Sequence, residues 1–273
     1  MRHRAIRDRA SLLGRCEGIL VRGDLLRALT LREVQVRYKQ AFLGMAWAIF
    51  MPFALMLIFT LLKQGMIVEG MASDVPYPVW AYCGLLPWTM HQTALKGCTG
   101  SLVTNKNLLA KVYFPRELFP LSKIGAAVVD FLVGLTVLFG LMLWFDVAFT
   151  PGMLLLPVVL LLHLLLLTGF GLLLASANLF YRDVQYVFDV FVLLWMFASP
   201  VFLDPARSTS QMGALMKTLN PMHPILTAYR RVLLHGDIGD PAHFLHGVAW
   251  ALGVFLVGVL VFAHREPEFA ERV

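Results

Sequence analysis

Four ionisable side chains interrupt otherwise apolar stretches of the sequence: Lys96, Asp130, His163 and Asp189. A charge at the centre of a bilayer costs about 3 kcal/mol even on the lenient insertion scale, so such groups often carry protons or bind ions. Ion-coupled carriers concentrate these groups on paired broken helices. Here they are single and scattered over four stretches, so we expect Asp130 and Asp189 to make local polar contacts with neighbouring helices.

Sequence motifs of enzymes that carry their own chemistry are absent. The sequence has no G-x-x-x-x-G-K-[ST] phosphate loop, no H-E-x-x-H metal motif and no G-x-S-x-G nucleophile elbow. Cys16, Cys83 and Cys98 fit neither a disulfide framework nor a zinc site, so we expect free thiols, two of them in a membrane helix. We predict no catalytic residue, no metal site and no cofactor held by this chain.

The composition indicates which elements carry these residues. Of 273 residues, 59% are hydrophobic and 15% are charged, whereas a soluble domain has about 45–50% and 25%. A helix needs about 20 apolar residues to cross a bilayer. We predict a single all-α integral membrane domain, 1–273, with six transmembrane helices, at residues 41–62, 79–103, 124–145, 153–177, 184–203 and 247–263.

The distribution of Lys and Arg predicts the orientation of these spans. Residues 1–40 are strongly basic, whereas residues 64–78 and 146–152 contain neither Lys nor Arg. Because cytoplasmic loops carry the excess of basic residues, we expect 1–40, 104–123 and the C-terminal tail inside, with both termini cytoplasmic. The net charge of +6 is thereby explained without a nucleic-acid partner.

Two segments do not fit a simple pattern of spans and loops. Residues 30–40 alternate apolar and polar like a strand, but an isolated strand leaves its edges unpaired, so we prefer a helix lying in the membrane interface. Within 204–246, residues 219–234 are too apolar for a solvated loop and too short to span. We predict an outer re-entrant hairpin before the last span, with a partly buried external loop as the alternative.

Several ordered motifs carry a resemblance to a known family. They are Val36-Arg37-Tyr38-Lys39-Gln40 followed by Leu43-Gly44 and Trp47, then 107–116, Tyr181-Arg182-Asp183-Val184, Ser199-Pro200-Val201, Leu219-Asn220-Pro221-Met222 and Glu268-Phe269-Ala270. In this order, over nearly the whole chain from about residue 25, the sequence resembles permeases of type 2 ABC exporters, in the branch that exports O-antigen, capsule and teichoic acid.

This resemblance implies a homodimer of six-span subunits in the bacterial inner membrane, bound to two copies of a separate ABC ATP-binding subunit. The partner would hold ATP and Mg, and the substrate would be a lipid-linked polysaccharide. Two alternatives remain: a membrane-bound lipid-linked sugar transferase, or a small-molecule exporter permease of the same superfamily. The transferase needs a cluster of acids or His at the membrane surface, where the inner loops offer Glu117 and Asp183.

The resemblance also implies roles for individual residues. The ATPase-coupling residues would be Asn107, Leu108, Lys111, Val112, Tyr113, Phe114 and Arg116 in the first cytoplasmic loop, with Arg182 and Asp183 in the second. An alternative is that the first loop lies on anionic headgroups. The candidate substrate pathway comprises Trp47, Trp88, Trp195, Pro200, Tyr229 and Arg230. Tryptophans near span ends are also typical of an interfacial aromatic belt.

Overall fold

The computed structural model describes residues 23–39, 44, 46–65, 75–106, 115–202 and 211–269. All regular secondary structure in these ranges is helical, which confirms the predicted all-α class. The α-helices are α1 Gly23–Tyr38, α2 Ala46–Gly65, α3 Tyr77–Thr104, α4 Leu118–Trp144, α5 Leu156–Phe180, α6 Val184–Phe197, α7 Gln211–Leu219, α8 Met222–Arg230 and α9 Pro241–Arg265. Short 3₁₀ turns, Pro151–Leu155 and Glu266–Glu268, precede α5 and follow α9, and a π-helical turn, Arg231–His235, follows α8.

The ambiguous segment that begins at residue 30 is helical as far as Tyr38, where α1 ends. The preference for helix over strand is therefore confirmed. α1 packs along α4, where Gly125 admits the side chain of Thr30; a Cβ at Gly125 would lie 2.8 Å from Thr30 Oγ1. Glu33 of α1 also pairs with Lys123 of α4.

Four described segments have the length and hydropathy of a membrane span: Ala46–Lys63, Leu118–Trp144, Pro151–Phe180 and Pro241–Glu268. They contain α2, α4, α5 and α9. Helix α3 is long enough, at 28 residues, but is less apolar. It contacts α2, α4, α5, α6 and α8, so protein rather than lipid surrounds most of it, and its polar side chains are tolerated for that reason. Both Cys83 and Cys98 are free and buried on α3, as expected, while Cys16 lies outside the described residues.

The predicted fifth span, 184–203, contains a helix that is shorter than a membrane. α6 has 14 residues and so rises roughly 21 Å, against about 30 Å for the hydrocarbon core. It ends at Phe197, before Pro200. Proline lacks an N–H donor and disfavours a helical conformation in the residue before it. The six predicted spans therefore correspond, in the described ranges, to four helices of full span character, the enclosed α3 and the short α6.

Helices α5 and α9 approach each other closely through glycine. A Cβ on Gly258 would lie 2.3 Å from the carbonyl oxygen of Gly169, and a Cβ on Gly169 would lie 2.4 Å from that of Val254. Small residues permit such backbone contact between membrane helices, where van der Waals packing rather than the hydrophobic effect drives association.

The apolar stretch at residues 219–234 forms helix α8 and the π-helical turn after it. α8 is joined to α7 through Asn220 and Pro221. Met222, Leu226 and Tyr229 are fully buried, and α8 packs against α3, α5 and α9. The segment is therefore part of the packed core.

Candidate functional site

The most polar contact inside the bundle centres on Arg230, the last residue of α8. Its guanidinium donates to the carbonyl oxygen of Pro200, to that of Val201 at 2.7 Å and to that of Trp80 at 3.3 Å. The guanidinium carbon also lies 3.5 Å from the centre of the Trp80 ring. Only 6% of Arg230 is exposed. Hydrogen bonds from a charged donor contribute about 1.5–3 kcal/mol each, so this arginine fastens α8 to α3 and to the chain after α6.

Glycine at position 84 makes room for this contact. A Cβ there would lie 2.1 Å from Nη2 of Arg230 and 2.9 Å from the carbonyl oxygen of Val201. Any side chain on this face of α3 would displace the guanidinium. Gly84 is therefore as much a part of the Arg230 site as the acceptors are.

A second set of hydrogen bonds surrounds Asn220 at the joint between α7 and α8. Its side-chain oxygen accepts from Trp195 Nε1 at 2.8 Å and from the backbone N–H of Met222 at 3.0 Å. Its amide nitrogen donates to the carbonyl of Ala198 and the hydroxyl of Ser199, both at 2.9 Å. One side chain thus joins the end of α6 to the start of α8.

A histidine pair links α8 to the interior of the bundle. His91 Nδ1 lies 3.1 Å from His163 Nε2, and His163 Nδ1 lies 3.4 Å from the hydroxyl of Tyr229. All three side chains are fully buried. The ring of Trp195 packs edge to face against His91, and the ring of Trp88 stacks on His91. The row joins α3, α5 and α8.

These contacts bring together five of the six predicted pathway residues. Trp88, Trp195, Pro200, Tyr229 and Arg230 are all buried in one set of connected contacts, which we call the interior polar network and which also contains Trp80, Gly84, His91, His163, Ser199 and Asn220. Trp47 is separate from it. It is 43% exposed at the start of α2, twelve residues before Phe59, the α2 residue that stacks on Phe202.

The opposite end of α3 leads to the predicted coupling residues. Asn107, Leu108, Lys111, Val112, Tyr113 and Phe114 lie outside the described residues. Arg116 donates to the backbone carbonyl of Glu266, and its guanidinium carbon lies 5.7 Å from the Phe269 ring. The start of α4 is thereby tied to the segment after α9.

A small aromatic cluster supports this tie. Phe269 is 1% exposed and lies 5.2 Å, ring centre to ring centre, from Phe262 of α9. Both belong to a cluster with Phe119 of α4 and Leu179 of α5. The C-terminal segment through Phe269 is therefore packed against the bundle.

Arg182 and Asp183 lie in the turn between α5 and α6, and both are exposed. Asn178 holds this turn: its amide donates to the carbonyl of Thr99 on α3 at 2.9 Å, and its oxygen accepts from the backbone of Gln185 at 3.2 Å. The two charged residues are thus presented to the surroundings on a fixed turn next to the end of α3.

The ionisable residues in the apolar stretches are paired, which corrects the expectation that they are single. Asp130 accepts from Arg37 and, at 2.6 Å, from the hydroxyl of Tyr38. Lys96 Nζ lies 2.9 Å from a carboxylate oxygen of Asp189. His163 has His91, as described above. The expectation of local polar contacts for Asp130 and Asp189 is confirmed.

Tyr38 is a stable hydrogen-bond donor in this arrangement. Partial burial, with the adjacent Asp130 carboxylate, raises the pKa of Tyr38 to about 12. The phenol therefore keeps its proton at physiological pH and continues to donate to Asp130. Together with Arg37 it fixes the end of α1 on α4.

Several members of these sites were not singled out from the sequence. Each of these residues contacts a partner that is distant in the chain. Gly84 contacts Arg230, His91 contacts His163, and Asn220 contacts Trp195. Asn220 lies in the motif Leu219-Asn220-Pro221-Met222, and this motif is the sequence feature that points to it. Among the described residues, no group of three His, Cys, Asp or Glu side chains is arranged to hold a metal ion.

The fold and these sites define a helical integral membrane protein whose polar groups pair across helices. The sequence model of the ABC-2 type transporter family matches residues 24–234. This chain belongs to that family. It is 30% identical over 252 residues to the O-antigen export system permease protein RfbA of Myxococcus xanthus, an alignment that covers 91% of this chain and 95% of the relative.

More distant relatives align over the same share of the chain. An O-antigen export system permease protein RfbA of Klebsiella pneumoniae is 23% identical over 254 residues, 91% of this chain and 94% of that protein. The polysialic acid transport protein KpsM of Escherichia coli is 25% identical over 254 residues, 91% and 96% of the two chains. The similarity therefore extends over nearly the full length of each relative.

The Arg230 site predicts that Gly84→Ala destabilises the protein. The added methyl group must displace the guanidinium or the Val201 carbonyl, and overpacking of this kind costs about 1–3 kcal/mol. We expect a lower midpoint of thermal unfolding in detergent. Gly140→Ala on α4 is the matched control, because a Cβ there meets nothing within 4 Å. Equal unfolding midpoints for Gly84→Ala and Gly140→Ala would show that the Arg230 site accommodates an added methyl group, and would contradict this prediction.

The ion pairs predict unequal effects of two conservative substitutions. Asp130 and Arg37 have side chains 15% and 30% exposed, whereas Lys96 and Asp189 are 40% and 45% exposed. Because more exposed pairs contribute less, Asp130→Asn should lower the unfolding midpoint more than Asp189→Asn. Both variants should still transport, since neither acid is expected to carry protons. Loss of transport with normal folding in Asp130→Asn would indicate ion coupling instead, whereas loss in Asp189→Asn alone would indicate that the exposed Lys96–Asp189 pair contributes to transport.

Proposed function

We propose that this chain is the membrane-spanning permease subunit of an ATP-driven exporter of lipid-linked polysaccharide across a bacterial inner membrane. The observation that carries the proposal is alignment over 91% of the chain with proteins named for O-antigen export or polysialic acid transport. The permease would work as a homodimer with two copies of a separate ABC ATP-binding subunit. ATP and Mg would be bound by that partner, and this chain would be no enzyme.

In this proposal the chain crosses the membrane six times, with both termini in the cytoplasm. The six crossings use α2, α3, α4, α5, α6 and α9, and the spans correspond to those predicted from the sequence. α3 needs little lipid contact because its neighbours enclose it. α7 and α8 then form an outer re-entrant hairpin, which the burial of α8 supports, and α1 lies in the cytoplasmic interface beside α4.

The substrate pathway is proposed to run past the exposed side of α3 and α6. Lys96 and Asp189 form an ion pair there, and both side chains are close to half exposed. Intramembrane charges usually face a bundle interior or a wet cavity rather than lipid. Of the six predicted pathway residues, Trp47 is exposed enough to touch a substrate. We assign the five buried ones, such as Arg230, the role of holding the hairpin in position.

Coupling to the ATPase is proposed to occur at residues 107–116, with Arg182 and Asp183 beside them. The loop connects the end of α3 to the start of α4, so displacement of the loop would act directly on α3. At its other end α3 supplies the Trp80 carbonyl and Gly84 to the interior polar network. The single helix α3 would thus connect the ATPase contact to the outer hairpin.

The coupling proposal predicts that Tyr113→Ala or Phe114→Ala abolishes transport-stimulated ATP hydrolysis while membrane insertion remains normal. Aromatic anchors usually carry most of the binding energy in a protein interface, so Lys111→Ala should have a smaller effect. Trp144→Ala is a matched aromatic control, because Trp144 is 82% exposed at the last residue of α4, the end of that helix opposite to the one that follows the loop. The measurement is co-purification of the ABC subunit from cells, together with its ATPase activity and the polysaccharide on the cell surface.

Other outcomes would point to the alternatives. If both aromatic substitutions leave partner binding and export unchanged while charge removal weakens membrane association, the loop is a lipid anchor. The coupling site would then be sought at Arg182 and Asp183. Sugar transfer by the isolated chain would contradict the exporter and support the transferase. Export of a small molecule, with unaltered surface polysaccharide in a deletion strain, would contradict the polysaccharide substrate.

A further inference from the structure

A groove runs along the outside of the bundle between α5, α7 and α9. It has a volume of about 590 Å³, within the roughly 300–1,000 Å³ typical of sites for small ligands. Its walls are almost entirely apolar and include Phe170 of α5, Leu219 of α7, and Trp250 and Val257 of α9. The α9 residues that line the groove all precede Gly258, which contacts α5. The groove belongs to neither the interior polar network nor the coupling region.

Gly253 leaves space in the groove that ordinary packing would remove. A Cβ at this position would meet nothing within 4 Å, although Gly253 lies in the middle of α9 and lines the groove. Glycine in a helix interior costs about 1 kcal/mol relative to alanine. Unlike Gly258 on the same helix, Gly253 is not required by a neighbouring backbone.

The rim of the groove is polar at the end next to α7. His246 Nε2 lies 2.8 Å from the carbonyl oxygen of Thr218, and Trp250 Nε1 lies 3.4 Å from the same oxygen. Lys217, one residue before Thr218, is exposed and lies close enough to His243, one turn before His246 on α9, to interact with it electrostatically. None of the residues lining the groove is acidic. An apolar groove therefore ends beside a tryptophan, an imidazole and a cation.

We infer that this groove binds one acyl chain of an anionic phospholipid, with the phosphate beside Lys217 and His246. Two of its walls, α5 and α9, are helices long and apolar enough to cross the membrane, so hydrocarbon chains are the available solvent. Lys217 supplies the charge complementary to a phosphate. A protein helix is a poor fit, because it is about 10–12 Å across and three turns occupy on the order of 1,300 Å³.

The site goes beyond export, because its ligand is a component of the surrounding bilayer and is not carried. The bound acyl chain would fill the open space at Gly253. A bound chain would cover apolar surface between α7 and α9 that the protein itself leaves exposed.

The test is native mass spectrometry of the full-length chain after exchange into detergent containing dioleoyl phosphatidylglycerol. Gly253→Leu places a side chain in the groove from a position where the Cβ meets nothing within 4 Å, and it should lower the occupancy of the most tightly bound lipid at least about tenfold. Gly140→Leu is the matched control, since Gly140 is also open but lies on α4. Ala249→Leu narrows the same groove from a second position and should act like Gly253→Leu.

The headgroup is tested by Lys217→Gln with dioleoyl phosphatidylcholine as the competing lipid. We expect the preference for phosphatidylglycerol to fall while total bound lipid stays the same; an unchanged preference would refute the anionic headgroup. Equal lipid occupancy in wild type, Gly253→Leu and Ala249→Leu would refute the site. If the groove variants instead reduce the oligomeric mass with no loss of lipid, the groove is an interface between copies of this chain and the inference is wrong.

Discussion

A guanidinium buried inside a membrane helix bundle needs acceptors from the protein itself, because neither lipid nor a packed interior supplies water. Arg230 finds them in the carbonyls of Pro200 and Val201 and in that of Trp80. The first two are free to accept because α6 has already ended, and residues beyond a helix end have no intrahelical partner. The early end of α6 therefore leaves two carbonyl oxygens without helical partners, and the buried Arg230 of α8 satisfies both.

The position of α3 follows from the same constraint. At one end of α3, the Trp80 carbonyl accepts a hydrogen bond from Arg230 and Gly84 leaves room for the guanidinium. At the other end, α3 packs near the aromatic cluster that contains Phe269. Because α3 touches most other helices, it cannot shift without moving the interior polar network. In the proposed exporter, this is the route by which a push on the cytoplasmic loop reaches the outer hairpin, and it uses packed helices and discrete hydrogen bonds.

Much of the fold could be predicted from the sequence because it depends on local patterns. Long apolar runs indicate α2, α4, α5 and α9, and the cost of an isolated strand correctly favours helix for α1. The short α6 was less predictable, since apolar residues continue beyond Phe197 while the helix does not. Hydropathy measures the solvent that a segment prefers, and it is less sensitive to where the backbone leaves the helix.

The sites were less predictable, because their contacts join residues far apart in the chain. Arg37 and Asp130 are 93 positions apart and Arg230 and Trp80 are 150 apart. No periodicity within one segment indicates such a pair, so the intramembrane charges looked single. Arg230 was recognised as a candidate through a quoted resemblance, but its role in holding α8 depends on acceptors that only the folded chain brings together.

The most direct test of this account is hydrogen–deuterium exchange at the backbone amides of α8 in the wild type and in Arg230→Gln. If the buried guanidinium holds α8 in place, the substitution should speed exchange at 222–230 by roughly 100-fold, equivalent to about 2.7 kcal/mol. The neighbouring Arg231→Gln is the control, because Arg231 pairs with Asp237 on the surface, and it should leave α8 protected. Unchanged protection of α8 in Arg230→Gln would show that apolar packing alone holds the hairpin, and would contradict the account.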